Sequence, residues 1–131
     1  MILDSSAIIA TIRGEPTAVA IPPILAQADR IAVGAPTLVE TGVVLVARLG
    51  PAGRTLLVRF CDELAIEVIP FTSEHWPLAL DAFQRFGKGR HKAALNFGDC
   101  LTYAIAHHAT RPLLCLGNNF SQTDLDVISA G

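Results

Sequence analysis

The chain has 131 residues, enough for one compact domain over residues 1–131 and too few for a second core. Half of it is apolar (51%) and only 17% is charged, which excludes a disordered tail, and the net charge of −2 by itself argues for no particular partner. Abundant Ala, Val, Ile and Leu with few aromatics predict helices packed on a largely buried sheet.

Met1–Leu3 reads as a short buried strand ending at Asp4. Ser5 or Ser6 can cap a helix to about Ile12, and Gly14 suits its stop. Pro16 permits a second helix, which Pro22 and Pro23 break or shift. Ile31–Ala35 predicts a strand, and Pro36–Thr37 opens a helix to about Leu49, although its β-branched content also allows a strand. Gly50-Pro51 ends that helix and can start the next, which runs to about Leu64. Ile66–Pro70 is a strand, and Ser73 caps a helix to about Phe86. Glycine content makes Gly87–Arg90 a loop, and Gly98-Asp99 begins a helix with Leu101, Ala104, Ile105 and His108 at helical spacing. Leu113–Leu116 is a buried strand ended by Gly117-Asn118-Asn119, and Leu125–Ile128 adds an edge strand. Alternating strands and helices without a hairpin signal predict an α/β domain. Its central parallel sheet has about four to five strands flanked by helices.

The apolar run Leu38–Leu49 is short and contains Glu40 and Arg48, so it predicts a buried helix and no membrane contact. Asp4 and Arg13 interrupt the one apolar stretch near the N-terminus, which therefore does not read as a signal peptide. Cys61, Cys100 and Cys115 are odd in number with no close pair, as expected of reduced, buried thiols in a cytoplasmic protein. Trp76 and Tyr103 read as packing residues.

Three carboxylates draw attention. Asp4 stands where the first strand hands over to a helix; ligands of open parallel sheets bind outside such strand ends, and an aspartate there can equally be a helix cap. Glu40 lies in Thr37–Val46, where apolar residues cover nearly every face. A carboxylate buried there needs a cation, a paired arginine or a path to solvent. Asp99 follows Gly98 at a helix start and is open to the same two readings as Asp4. All three fall at element ends that converge on one sheet edge, and oxygen-only ligands suit Mg²⁺ or Mn²⁺. His75, His91, His107 and His108 lack zinc spacing, and neither a nucleophile elbow nor a Walker loop is present. Arg85, Lys88, Arg90 and Lys92 lie in eight residues without an acid, a candidate phosphate contact or simply a solvated loop.

Together these residues resemble the PIN-domain family and, within it, the VapC toxins of toxin–antitoxin pairs. The resemblance is carried by Ile2-Leu3-Asp4-Ser5-Ser6-Ala7, Glu40 in Pro36–Thr41, Gly87-Lys88-Gly89-Arg90-His91, Asn96-Phe97-Gly98-Asp99-Cys100, and Leu113-Leu114 followed by Gly117–Phe120 and Thr123-Asp124. It spans essentially the whole chain. It implies a metal cluster of Asp4, Glu40 and Asp99, with Ser6 orienting the first aspartate. The family's fourth acidic position falls where this chain has Asn118 and Asn119, which add no charge; Asp124 is a possible substitute.

The implied activity is Mg²⁺-dependent (Mn²⁺ possible) endoribonuclease cleavage of structured RNA such as tRNA, with the Arg85–Lys92 segment on the RNA backbone. A cognate VapB-like antitoxin and a homodimer are the implied partners. Two alternatives are a PIN-like module that binds RNA or protein without cutting, favoured by the asparagines, and a receiver-like or small-ligand α/β domain. The latter needs a lysine after a late strand, where this chain has none.

Overall fold

A computed structural model describes residues 1–131. Five strands, β1 (Ile2–Leu3), β2 (Ala32–Gly34), β3 (Glu67–Ile69), β4 (Leu113–Cys115) and β5 (Val127–Ser129), form one sheet in the order β3-β2-β1-β4-β5. Every pairing is parallel: Ile2 faces Ala32 on one side and Leu113 on the other, and Leu114 faces Ile128. The helices are α1 (Ser5–Ile12), α2 (Ile21–Gln27), α3 (Ala35–Leu49), α4 (Pro51–Glu63), α5 (Trp76–Phe86) and α6 (Phe97–Ala109), with short 3-10 turns at Pro16–Ala18 and Phe120–Gln122.

Alternation along the strands divides the core into two layers. Ile2, Ala32, Leu113 and Cys115 point to the face that α5 and α6 cover, packing on Ala82, Phe86, Tyr103 and Ile105. Leu3, Val33 and Leu114 point to the opposite face and meet Ala7, Ile8, Ile21 and Leu25 from α1 and α2. The central strands are buried on both sides, which is why they read as unbroken apolar runs.

Several boundaries differ from those the sequence suggests. Pro22 and Pro23 begin α2 rather than break it, because proline in a first helical turn removes no needed hydrogen bond. The next-to-last helix starts at Trp76, not at Ser73: the Thr72 backbone N–H donates to His75 Nδ1 at 3.0 Å in a turn before it, and Pro77 occupies its first turn. The edge strand begins at Val127, two residues late, because Thr123 and Asp124 are held in side-chain contacts. Trp76 is 58% exposed and is no packing residue, whereas Tyr103 is buried. No helix is long and apolar enough to cross a membrane.

Candidate metal centre

In a parallel sheet all strands deliver their carboxyl ends to one edge, and helices that return to the sheet begin there. Asp4 directly follows β1 and is the N-cap of α1. Its Oδ2 accepts hydrogen bonds from the Ser6 backbone N–H at 3.1 Å and from Ser6 Oγ at 2.6 Å. Ser6 Oγ in turn accepts from the Leu116 N–H at 3.1 Å, so one hydroxyl ties Asp4 to the chain leaving β4. The Asp4 N–H donates to Leu114 O at 3.0 Å, which fixes the aspartate's backbone on the same neighbouring strand. Asp4 is 5% exposed.

Asp99 lies at the start of α6, and here the structure refines the sequence reading. The N-cap is Asn96, whose Oδ1 accepts from the Asp99 N–H at 2.9 Å, while Asp99 Oδ2 accepts from the Asn96 N–H at 3.0 Å. This reciprocal box leaves the second carboxylate oxygen, Oδ1, outside the cap. Glu40, from the second turn of α3, completes the group. It rests against α6: a Cβ built on Gly98 would meet Glu40 Oε2 and lie 2.9 Å from its Cδ.

Asp4 and Glu40 act on Asp99, and Asp4 acts on Glu40. Burial first, and then the charges of Asp4 and Glu40, push Asp99 up to about 6, against an opposing hydrogen bond from the Asn96 backbone. Burial and then Asp4 raise Glu40, while the Ser5 hydroxyl works the other way. Burial pushes the neighbouring Cys115 thiol up to about 12, with Asp4 and Asp99 adding to it, so that thiol stays protonated. None of the molecule's ion pairs includes Asp4, Glu40 or Asp99. Negative charge is therefore concentrated at this edge without a basic side chain to neutralise it.

The charges of Asp4 and Glu40 reach Asp99, but no three His, Cys, Asp or Glu side chains of the chain are gathered closely enough to hold a metal ion among them. Like charges repel, and each carboxylate is already held by its own partner. The donor set nevertheless fits a hard divalent cation. Mg²⁺ retains much of its water and is commonly held through only one or two carboxylates.

The remaining predicted site residues divide. Asn118 and Asn119 are exposed just beyond β4, on the segment that Ser6 tethers at Leu116, with Asn119 capping a 3-10 turn. Asp124 is not available as a fourth acid. It accepts from Tyr103 Oη at 2.6 Å and Arg85 Nη1 at 3.3 Å, and no site carboxylate is among the groups that shift it. Arg85 is correspondingly no free phosphate contact, for its guanidinium pairs with Asp124 and lies 4.6 Å from the Phe86 ring centroid. Arg90 donates from Nε to Gln84 O at 3.3 Å, and Lys88 and Lys92 are exposed and enter no ion pair. The loop carrying them closes on itself through a Gly87–Leu95 bridge and runs directly into Asn96 and Asp99.

Sequence reasoning missed Asn96, Gly98 and Ser5. The spacing Asn96-x-x-Asp99 was the signal for the first, since it is a capping-box pattern. The other two needed the fold.

Comparison with known proteins gives consistent results. The family model described as PIN domain matches residues 1–125. The chain is 49% identical over 127 residues to Ribonuclease VapC36 of Mycobacterium tuberculosis, covering 96% of this chain and 91% of that protein. It is 42% identical over 124 residues to Ribonuclease VapC28 of the same organism, covering 94% and 93%. Among solved structures, the fold is similar to M. tuberculosis VapC20, described as a sarcin-ricin loop cleaving toxin. The TM-score is 0.78 at 16% identity, over 95% of each chain. It is also similar to VapBC2 from Rickettsia felis bound to a promoter DNA fragment, with TM-score 0.77 at 14% identity, over 98% and 96% of the chains.

Proposed function

This chain belongs to the PIN-domain family, among its VapC ribonucleases, and on that footing we propose that it is a toxin endoribonuclease hydrolysing RNA phosphodiesters with Mg²⁺ or Mn²⁺ at Asp4, Glu40 and Asp99. The observation that carries the metal assignment is the unneutralised meeting of three carboxylates at one sheet edge. Such charge is stabilised by a cation of higher valence than a side chain provides.

A divalent cation held by Asp4, Glu40 and Asp99 would lower the pKa of a nearby water and offset charge developing on the phosphate. The chain's residues set the geometry for this. Ser6 directs two donors onto Asp4 Oδ2 and leaves the other oxygen, Oδ1, outside the cap. The Asn96 N–H holds Asp99 Oδ2 and leaves its Oδ1 to the site. Glu40 serves as ligand or as acceptor for the attacking water's proton, a task for which a raised carboxylate is suited. Lys88, Arg90 and Lys92 hold the RNA backbone beside Asp99, positioning the strand without reading its sequence. Structured RNA such as tRNA is the proposed substrate class, the cytoplasm the proposed compartment, and a VapB-like antitoxin the proposed inhibitor.

The deciding experiment is cleavage of total tRNA by purified protein with and without Mg²⁺ or Mn²⁺, alongside Asp4→Asn and Asp99→Asn. Metal-dependent cleavage lost in both variants is the expected result. Full cleavage by both at matched metal concentration contradicts the site, and binding of RNA without cleavage by the wild type favours the non-cutting module.

A further inference from the structure

Gly98 occupies the first turn of α6, a position for which alanine is the better helix former. Its φ lies outside the left-handed region and its backbone poses no demand that only glycine meets. The space beside it is what singles it out. A Cβ there would collide with Glu40 Oε2 and stand 2.9 Å from Cδ and 3.0 Å from Oε1, and no other group lies closer. The Glu40 carboxylate thus fills the place that any side chain at residue 98 would take.

This contact joins two elements far apart in sequence. Glu40 reaches it from α3, and the residue after the seat is Asp99. The Ser5 hydroxyl at the start of α1 favours the ionised Glu40, so α1 as well as α6 bears on this carboxylate. Thr37, one turn before Glu40, bonds Thr102 of α6 at 3.0 Å and keeps the two helices in register at this point.

We infer that Gly98 is a positioning residue of the metal centre: its bare Cα forms the seat that draws the Glu40 carboxylate against α6 beside Asp99. The inference rests on the metal reading given above and adds a determinant to it. Because the obstructed atoms are the far end of a flexible side chain, Gly98→Ala leaves the fold intact and displaces the carboxylate.

The test measures Mn²⁺ affinity by calorimetry, thermal stability without metal, and RNA cleavage for Gly98→Ala. Tm is expected to hold or rise, while Mn²⁺ affinity falls about 10-fold or more, as when supporting groups around a metal are changed. In a Glu40→Ala background the same substitution is expected to have no further effect on affinity. Unchanged affinity in Gly98→Ala, or an undiminished loss in the Glu40→Ala background, overturns the seat. Glu40→Asp provides a second probe that leaves α6 untouched. Its shorter side chain withdraws the carboxylate, and it should weaken Mn²⁺ binding with little added by Gly98→Ala; full additivity of the two overturns the proposal. If wild type and Asp99→Asn bind Mn²⁺ equally, the metal reading fails. The seat is then judged from the Glu40 side-chain carboxyl ¹³C resonance at fixed pH, which Gly98→Ala shifts if the carboxylate lies there and leaves unchanged if it does not.

Discussion

Asp4 and Asp99 each have room for two roles that the sequence presented as alternatives. Asp4 caps α1 with one oxygen, and Asp99 returns one oxygen to the Asn96 N–H, so each side chain keeps a second oxygen for the proposed metal. Asparagine retains an acceptor oxygen for the cap and removes the charge. Asp99→Asn is therefore expected to cost at most about 1 kcal/mol through the cap and, without metal at neutral pH, to hold or gain stability as the buried charge is removed, while RNA cleavage falls by orders of magnitude; urea unfolding and gel assays on one preparation check both. The raised Asp99 gives a pH signature. Its folded value of about 6 stands above its ordinary 3.8, so between those values the folded chain holds the proton more firmly. The stabilisation from this group is full below 3.8 and is lost as pH rises through about 6. Tm of metal-free protein should fall across that window, by less in Asp99→Asn, and saturating Mn²⁺ should reverse the trend because the metal binds the ionised form. A pH–Tm profile identical in wild type and variant would count against the coupling. Asn119→Asp should strengthen Mn²⁺ binding by adding charge beside Ser6's tether, and calorimetry reads the change. Glu40 was legible because a carboxylate sits badly in an apolar run, and Asp4 and Asp99 because they fall at element ends that converge on one sheet edge. Ser6 was legible beside Asp4 through the resemblance, but Gly98 and Ser5 were not, since they are ordinary residues until α1, α3 and α6 meet.

The elements follow the same division between local and distant causes. Strands and helices appear in the expected order because burial on both faces leaves unbroken apolar runs, and α3 is a helix despite its valines, with the Thr41 hydroxyl donating to Thr37 O at 2.7 Å within it. The late start of α5 suits Pro77, which lies in its first turn and which a cap at Ser73 leaves out of account. The role of Arg85 was not legible, since its partner Asp124 belongs to the connection before β5. That split makes the basic loop testable by parts. Lys88, Arg90 and Lys92 changed together to Ala should weaken RNA binding and flatten its salt dependence. The slope should fall by roughly 0.7 for each phosphate of a single strand that is no longer neutralised. Arg85→Ala should leave the slope nearly unchanged and lower stability instead, because it leaves Asp124 with Tyr103 alone and removes the guanidinium from the Phe86 ring. Fluorescence titrations from low to moderate salt distinguish these outcomes, and an equal drop in slope in both variants would return Arg85 to the RNA-binding surface.

At the scale of the whole molecule, the chain exposes two separate apolar faces. One lies along α3 and α4, where Val39, Val43, Val46 and Val58 line a groove of about 780 Å³ with Arg54 and Asp62 among its walls. The other lies on α5 and α6, where Trp76, Leu80, Phe83 and Phe97 surround a depression of about 420 Å³ lined only by apolar residues. Contiguous apolar patches on a soluble domain mark contact surfaces, and two of them suit two kinds of contact, a second copy and an antitoxin. Burying either would remove apolar area from water in the folded state alone, so a contact at either face would stabilise the fold by mass action. The free chain is thus expected to be a homodimer at micromolar concentration, with a Tm that rises with protein concentration. Addition of the cognate antitoxin at about 100 times its Kd should add roughly 2.7 kcal/mol to stability while abolishing cleavage. Light scattering and thermal melts across a concentration series, with and without the antitoxin, measure each effect. A monomer with a concentration-independent Tm in both conditions would mean that neither face is covered by a partner.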